Sequence, residues 1–268
     1  MADFTFLDLV DEKAGTHLAH GDFSSVDWLF APLLNPDNPI TIAHCVFAGV
    51  AATIIVVLSL VARRKYASKE EAMMPEGKFS VRNFFEVIFD AVLNIMSDMM
   101  GRENAKRYFP LIAALAVFIL ISNLMGLIPG LAPPTQNLNT TVAMSAVVFV
   151  IYNIAGLREH GLSYLKHFLG PVWFIAPLML VIELVSHVFR PISLGVRLTG
   201  NMTGDHMVLG VFGDLASGLF GAMGLAEIPF LLPVPFFFLG LLVSIIQTLV
   251  FCLLSSIYIS LAVSHEGH

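Results

Sequence analysis

Charge is scarce in this chain. Asp, Glu, Lys and Arg make up 13% of its residues, against about 25% in soluble domains. Together with 57% hydrophobic residues and a mean hydropathy of +0.82, that scarcity excludes a soluble globular protein and points to a polytopic membrane protein. Cysteine is scarcer still. Cys45 and Cys252 are the only two, both lie in apolar stretches, and each reads as a small core residue. No HExxH run and no nucleophile–base pair is present, and Glu183-x-x-x-His187 has no further ligands around it for a metal. No catalytic residue, cofactor or metal site is therefore expected. No basic patch suited to nucleic acid appears, and no internal repeat of the inverted-repeat transporter kind. The first 30 residues lack a basic n-region followed by an apolar h-region, so no signal peptide is expected. The first span is then expected to serve as its own insertion signal.

The charges that are present are segregated. Residues 1–39 hold seven acids (Asp3, Asp8, Asp11, Glu12, Asp22, Asp27 and Asp37) against Lys13, whereas residues 63–107 hold nine of the 14 bases. Residues 40–62 carry no formal charge and are long enough to span a bilayer. Arg63-Arg64-Lys65 follows at once, so the positive-inside rule places that end in the cytoplasm and the acidic segment 1–39 outside.

Residues 63–108 form a basic cytoplasmic connector. Within it, residues 79–100 alternate at helical spacing between a polar side (Arg82, Glu86, Asp90, Asn94, Asp98) and an apolar one (Phe85, Ile88, Val92, Ile95, Met99), the pattern of an amphipathic surface helix. Residues 109–157 read as a membrane hairpin: a span to 128, an external loop broken by Pro129, Pro133 and Pro134, and a return span from 138. Arg158 and Lys166 place the 158–171 loop in the cytoplasm. Residues 172–263 read as two long helices, 172–225 and 234–263, parted by Pro229, Pro233 and Pro235. At 1.5 Å per residue they would be ~80 and ~45 Å long, more than the ~30 Å hydrocarbon core. Steep tilt, or a kink near Pro191, is required. The fold class is all-α: five membrane-crossing helices plus one amphipathic surface helix, the last two long, tilted and packed as a hairpin. The tail 264–268, with His265 and His268, lies on the cytoplasmic side.

One segment concentrates the remaining charge. On a wheel at 100° per residue, Glu183, His187, Arg190, Arg197, Asn201 and Asp205 fall within about 80°, with His206 about 100° beyond Asp205. A charge at the bilayer centre costs roughly 2.5–3.5 kcal/mol, so Arg197 must face protein, water or an opposite charge. Its guanidinium stays charged at any working pH. Glu, Asp and His can exchange protons, so the stripe reads as a proton route interrupted by a fixed cation. Several local partners are open: Glu183 with His187, Arg197 with Asp205 or Glu183, Gln247 with Arg197, or Asn201 and Gln247 as interhelical hydrogen-bonding groups. Gly210, Gly213, Gly218, Gly221 and Gly224 are expected to let the outer part of the helix pack closely.

Four segments carry a family resemblance. They are Asn123-Leu-Met-Gly-Leu-Ile-Pro129, Pro134-Thr-Gln-Asn-Leu-Asn139-Thr-Thr, Pro191-Ile-Ser-Leu-Gly-Val-Arg197-Leu-Thr-Gly-Asn201-Met, and the helix around Gln247. In these the chain resembles the a subunit of bacterial F-type ATP synthases. The resemblance implies a non-catalytic stator subunit in the bacterial inner membrane, packed against a ring of c subunits. It also implies b-type peripheral-stalk subunits and the rest of the ATP synthase as partners, with contact to membrane lipid and protons as the transported ion. By the same resemblance Arg197 faces the carboxylate of each passing c subunit and separates two half-channels. Glu183, Ser193 and Asn201 match channel-associated positions, and Gln247 the position near the arginine. Many bacterial relatives carry Glu nine residues after the arginine and His seven before the glutamine; here His206 and Gly240 stand there, with Asp205 in a place that is often Gly. The expectation is a relocated acid, Asp205, beside His206, with Gly240 leaving room. Against this stand a secondary transporter using Arg197 to bind an anionic substrate, an intramembrane enzyme, and a scaffold without transport. The transporter would need a substrate cavity and commonly shows matched repeats, neither of which is seen; the enzyme lacks a nucleophile–base pair; and the scaffold does not account for the aligned ionisable stripe.

Overall fold

The computed structural model describes residues 43–64, 80–128, 131–161, 164, 176–222 and 233–263. The acidic segment 1–39, Lys65 and the connector to residue 79, Pro129, Lys166, the break at Pro229 and the tail 264–268 lie outside the described residues. Among these residues are six α-helices: α1 (Ala43–Arg64), α2 (Val81–Met100), α3 (Arg102–Met125), α4 (Leu138–His160), α5 (Ala176–Ala222) and α6 (Pro233–Val263). A short 3-10 turn, Pro134–Gln136, lies between α3 and α4. No strand occurs among the described residues. All but α2 are long and apolar enough to cross a membrane, which makes five candidate spans.

The amphipathic segment forms α2. Ser80 caps it, its hydroxyl accepting from the Asn83 amide at 3.4 Å. Phe85, Val92, Met96 and Met100 are buried, while Asp90, Asn94 and Asp98 face out. The apolar face is turned slightly from the expected one: Met99 is exposed, and Arg82 is buried in a 2.7 Å ion pair with Glu86. Burial of a guanidinium is tolerated here because its acid lies one turn away on the same helix. Gly101, at φ +77°, ends α2 and starts α3 in a single residue. The last bases of the connector, Arg102, Lys106 and Arg107, thus occupy the first two turns of α3.

Between apolar helices in a membrane, packing and interhelical hydrogen bonds replace the hydrophobic drive. The molecule uses both. α6 packs against α2, α3, α4 and α5 and is the common neighbour of the bundle. The spans α3 and α4, adjacent in sequence, meet mainly through α6 rather than as a closed pair. Ala105, Ile112 and Ala116 of α3, Val148 and Tyr152 of α4, and Phe251 and Ile259 of α6 form the core. A second cluster joins Phe47 and Ala51 of α1 to Val117, Ile121 and Met125 of α3. At the α2–α6 contact, Ser260 Oγ donates to the Met99 carbonyl at 2.8 Å.

α5 is one helix of 47 residues, about 70 Å at 1.5 Å per residue. In a hydrocarbon layer of ~30 Å it must be steeply inclined. The helix runs through Pro191, whose missing N–H leaves the His187 carbonyl without its i+4 donor. It rests on α4, α6 and the 3-10 turn. It packs closely on α4 at Gly195, where an added Cβ would lie 3.1 Å from Val142 Cγ2 and 3.2 Å from Ser145 Oγ. One turn on, the Thr199 and Thr141 hydroxyls are bonded at 2.6 Å. The expected close-packing glycine Gly210 instead faces open space. The surroundings of Gly213, Gly218, Gly221 and Gly224 lie outside what is described.

Candidate functional site

The ionisable stripe of α5 lies along the boundary between its packed and open faces. Leu194, Leu198 and Met202 are buried against the bundle. Ser193, Val196, Arg197, Gly200 and Asn201 are exposed. Within the stripe, His187 and Asp205 sit about 80° from Arg197 on a wheel at 100° per residue. That spread is enough to divide it: His187 and one oxygen of Asp205 turn inward, and Arg197 turns out.

Towards the start of α5, Glu183 pairs with Arg190, Oε1 to Nη2, at 3.7 Å. The Arg190 guanidinium also lies over the Tyr258 ring of α6, 5.8 Å from its centroid, within cation–π range. His187 is buried, and its Nε2 stands 2.9 Å from Asn153 Oδ1 and 3.4 Å from the Tyr152 hydroxyl of α4. Asn153 Nδ2 donates to the Phe149 carbonyl at 2.7 Å, and the Tyr164 hydroxyl donates to Asn153 Oδ1 at 3.3 Å. Burial raises the Tyr164 pKa, opposed by Arg190, so its phenol remains a neutral donor. Ser193 is exposed and its hydroxyl donates to the Arg190 carbonyl at 3.0 Å.

Arg197 makes no ion pair among the described residues. Neither Asp205 nor Glu183 reaches it. Gln247 is also taken: its Oε1 accepts from Asn201 Nδ2 at 2.6 Å. Gln247 thus joins the two long helices through Asn201, one turn beyond the arginine. Val196, next to Arg197 in the chain, and Ile192 are exposed on α5, and α6 leaves Leu242, Ile245 and Ile246 exposed. Gly200 and Gly204 continue the open surface, with nothing within 4 Å of where a Cβ would be.

Beyond Arg197 the site changes character. Asp205 Oδ2 is buried and has no hydrogen-bond donor among the described residues. The His206 ring lies over Gly126, at the end of α3: a Cβ on Gly126 would come within 2.8 Å of its Nε2. On α6, a Cβ on Gly240 would come within 2.9 Å of Leu127 Cδ2. Gly240 therefore leaves no room, contrary to expectation, because a leucine from the α3 end fills the space.

Sequence reasoning did not find Tyr152, Asn153, Thr141, Thr199, Gly126 or Leu127. One signal was present: Thr141 and Ser145 on α4 and Gly195 and Thr199 on α5 are pairs four apart, the spacing of two small polar faces that can meet. Nothing in the sequence said that they meet each other.

These observations define an all-helical polytopic membrane protein with a fixed cation, an acid and an imidazole within a candidate membrane span. Comparison with known proteins narrows the class. A family model described as ATP synthase A chain matches residues 45–260. A protein of Bdellovibrio bacteriovorus named ATP synthase subunit a is 43% identical over 84% of this chain and 93% of its own length. Proteins of the same name from Trichlorobacter lovleyi and Geobacter sulfurreducens are 46% and 44% identical, over 80% and 83% of this chain and 84% and 90% of their own lengths. The chain belongs to the ATP synthase A chain family.

Proposed function

We propose that the chain is the proton-conducting stator of an F-type ATP synthase, with the open face of α5 and α6 set against a ring of c subunits. The observation that carries this reading is the outward presentation of Arg197. A permanent cation on a lipid-facing surface is costly. The cost is offset if each passing rotor subunit brings a carboxylate to the same depth. Opposite charge favours the ionised carboxylate, so the guanidinium drives proton release on one side and blocks a direct path between the two sides. The exposed apolar side chains around it then meet protein rather than lipid.

Protons reach the ring from outside past Asp205 and His206 and leave inward past Glu183, Arg190 and Ser193. Asn201 and Gln247 hold the helices together at the level of the cation. His187, buried under Tyr152, has a positioning role and anchors the inner part of α5 to α4. Arg63 and Arg64 set the inner end of α1, which puts the N-terminus outside and the C-terminus in the cytoplasm of a bacterial inner membrane. The peripheral stalk, through b-type subunits, holds the chain against rotation.

The c-ring contact can be tested by cross-linking in membranes. Val196→Cys places a thiol one residue from Arg197 on the exposed surface. It should form a disulfide with a cysteine placed beside the membrane carboxylate of the c subunit. Absence of that product, with Gly49→Cys on α1 as an equally silent control, would remove the rotor contact.

A further inference from the structure

Asp205 and His206 lie on α5, and an external route shared by the two long helices would also run along α6. The α6 side argues otherwise. Ser244 Oγ donates to the Gly240 carbonyl at 2.7 Å, and Thr248 Oγ1 donates to the Ser244 carbonyl at 2.8 Å; both hydroxyls are buried. Gln247 is engaged by Asn201. Gly240 itself is covered by Leu127, which is 9% exposed. From Gly240 to Thr248, α6 therefore turns only apolar or internally bonded groups toward the bundle. The α5 side differs, with a buried Asp205 oxygen that no donor satisfies.

The part that covers Gly240 is rigidly held. The Leu127 amide donates to the Leu124 carbonyl at 3.2 Å, and that of Ile128 to Met125 at 3.0 Å. Behind the turn, fully buried Thr135 donates to fully buried Asn123 at 2.8 Å, fixing the 3-10 turn to the end of α3. Gly126 has no side chain, and the His206 ring occupies the space that a side chain there would fill. Two consecutive residues of one braced turn thus serve two helices: Gly126 seats His206, and Leu127 closes α6.

We infer that the Gly126-Leu127 turn is a plug that seals the α6 side of the external half-channel at Gly240 and confines the proton route to the Asp205 side of α5. This rests on the half-channel reading above. It assigns a positioning role to Gly126 and Leu127 and makes Gly240 a dry position.

The test is thiol accessibility in membranes bearing the whole complex, on a Cys45→Ser/Cys252→Ala background. The probe is aminoethyl methanethiosulfonate added from the external side. Asp205→Cys should be labelled, while Gly240→Cys and Ser244→Cys should not. Adding Leu127→Ala to Gly240→Cys should restore labelling. Ser244→Cys, one turn further along α6, keeps the test open if Gly240→Cys does not assemble. Labelling of either position 240 or position 244 as fast as position 205 would overturn the plug. So would failure of Leu127→Ala to expose position 240. Absence of labelling at position 205 would overturn the route along α5. The rotor contact at Arg197 is decided separately, by the cross-link and by pumping, so its failure cannot be mistaken for failure of the plug.

Discussion

Arg197 and Asp205 lie about two turns apart on α5 and meet opposite surroundings. The guanidinium is exposed on an open face, and one carboxylate oxygen is buried without a donor. An unsatisfied buried acceptor costs about 1–3 kcal/mol, a cost that falls when a proton or water reaches it. Asp205→Ala should therefore remove a functional group without unfolding the helix. ATP-driven acidification of inverted vesicles is expected to fall by about a hundredfold or more, the range for loss of a proton-transfer group, with the complex still assembled by immunoblot. Normal pumping would show that Asp205 is not the acid of the external route. His187 should behave differently. His187→Gln keeps a polar partner for Asn153 and should leave the pH profile of pumping unchanged. His187→Leu leaves Asn153 and Tyr152 with lost hydrogen bonds and should destabilise the complex by about 1–3 kcal/mol, read as a lower thermal inactivation temperature. A shifted pumping profile in His187→Gln would make His187 a relay instead.

At the scale of elements, the account depends on how α5 is fixed. Gly195 against Val142 and Ser145, Thr199 with Thr141, and Asn201 with Gln247 form three successive attachments within two turns. Gly195→Val would overpack the α4–α5 contact and should cost about 1–3 kcal/mol. Gly49→Ala on α1, where the space is open, should be neutral or slightly stabilising because Ala is about 1 kcal/mol better than Gly in a helix. Thermal stability of the purified complex distinguishes the two. A double-mutant cycle of Asn201→Ala and Gln247→Ala should give a coupling near ~0.6 kcal/mol, typical of interhelical hydrogen bonds in membranes. Strict additivity would mean that the 2.6 Å contact does not hold the helices together. Helix existence was readable from the sequence because apolar runs and basic flanks mark spans directly. The partners of polar side chains were not. The wheel placed Glu183 and His187 on one stripe, but it could not show that a neighbouring helix offers Asn153 and Tyr152 to one of them and leaves Arg190 to the other. Gly240 shows the same limit. Its missing side chain was visible in the sequence, and the leucine that fills the space comes from the turn after α3.

For the whole molecule, the arrangement is a bundle centred on α6 with one long helix laid across its side. The packed side of α5 is complete within the chain, and its open side is not. Ile192 and Val196 of α5 and Leu242 and Ile245 of α6 are exposed, and Arg197 has no counter-charge among the described residues. The motif around Arg197 was specific enough to indicate the family from sequence alone. The outward turn of its side chain depends on how Leu194, Leu198 and Met202 pack, which only the fold supplies. ATP-driven proton pumping in inverted membranes carrying Arg197→Ala, with assembly checked by immunoblot, tests the central claim most directly. The account predicts an assembled complex that does not acidify the vesicles. Acidification at the wild-type rate would contradict it and reduce Arg197 to a structural charge.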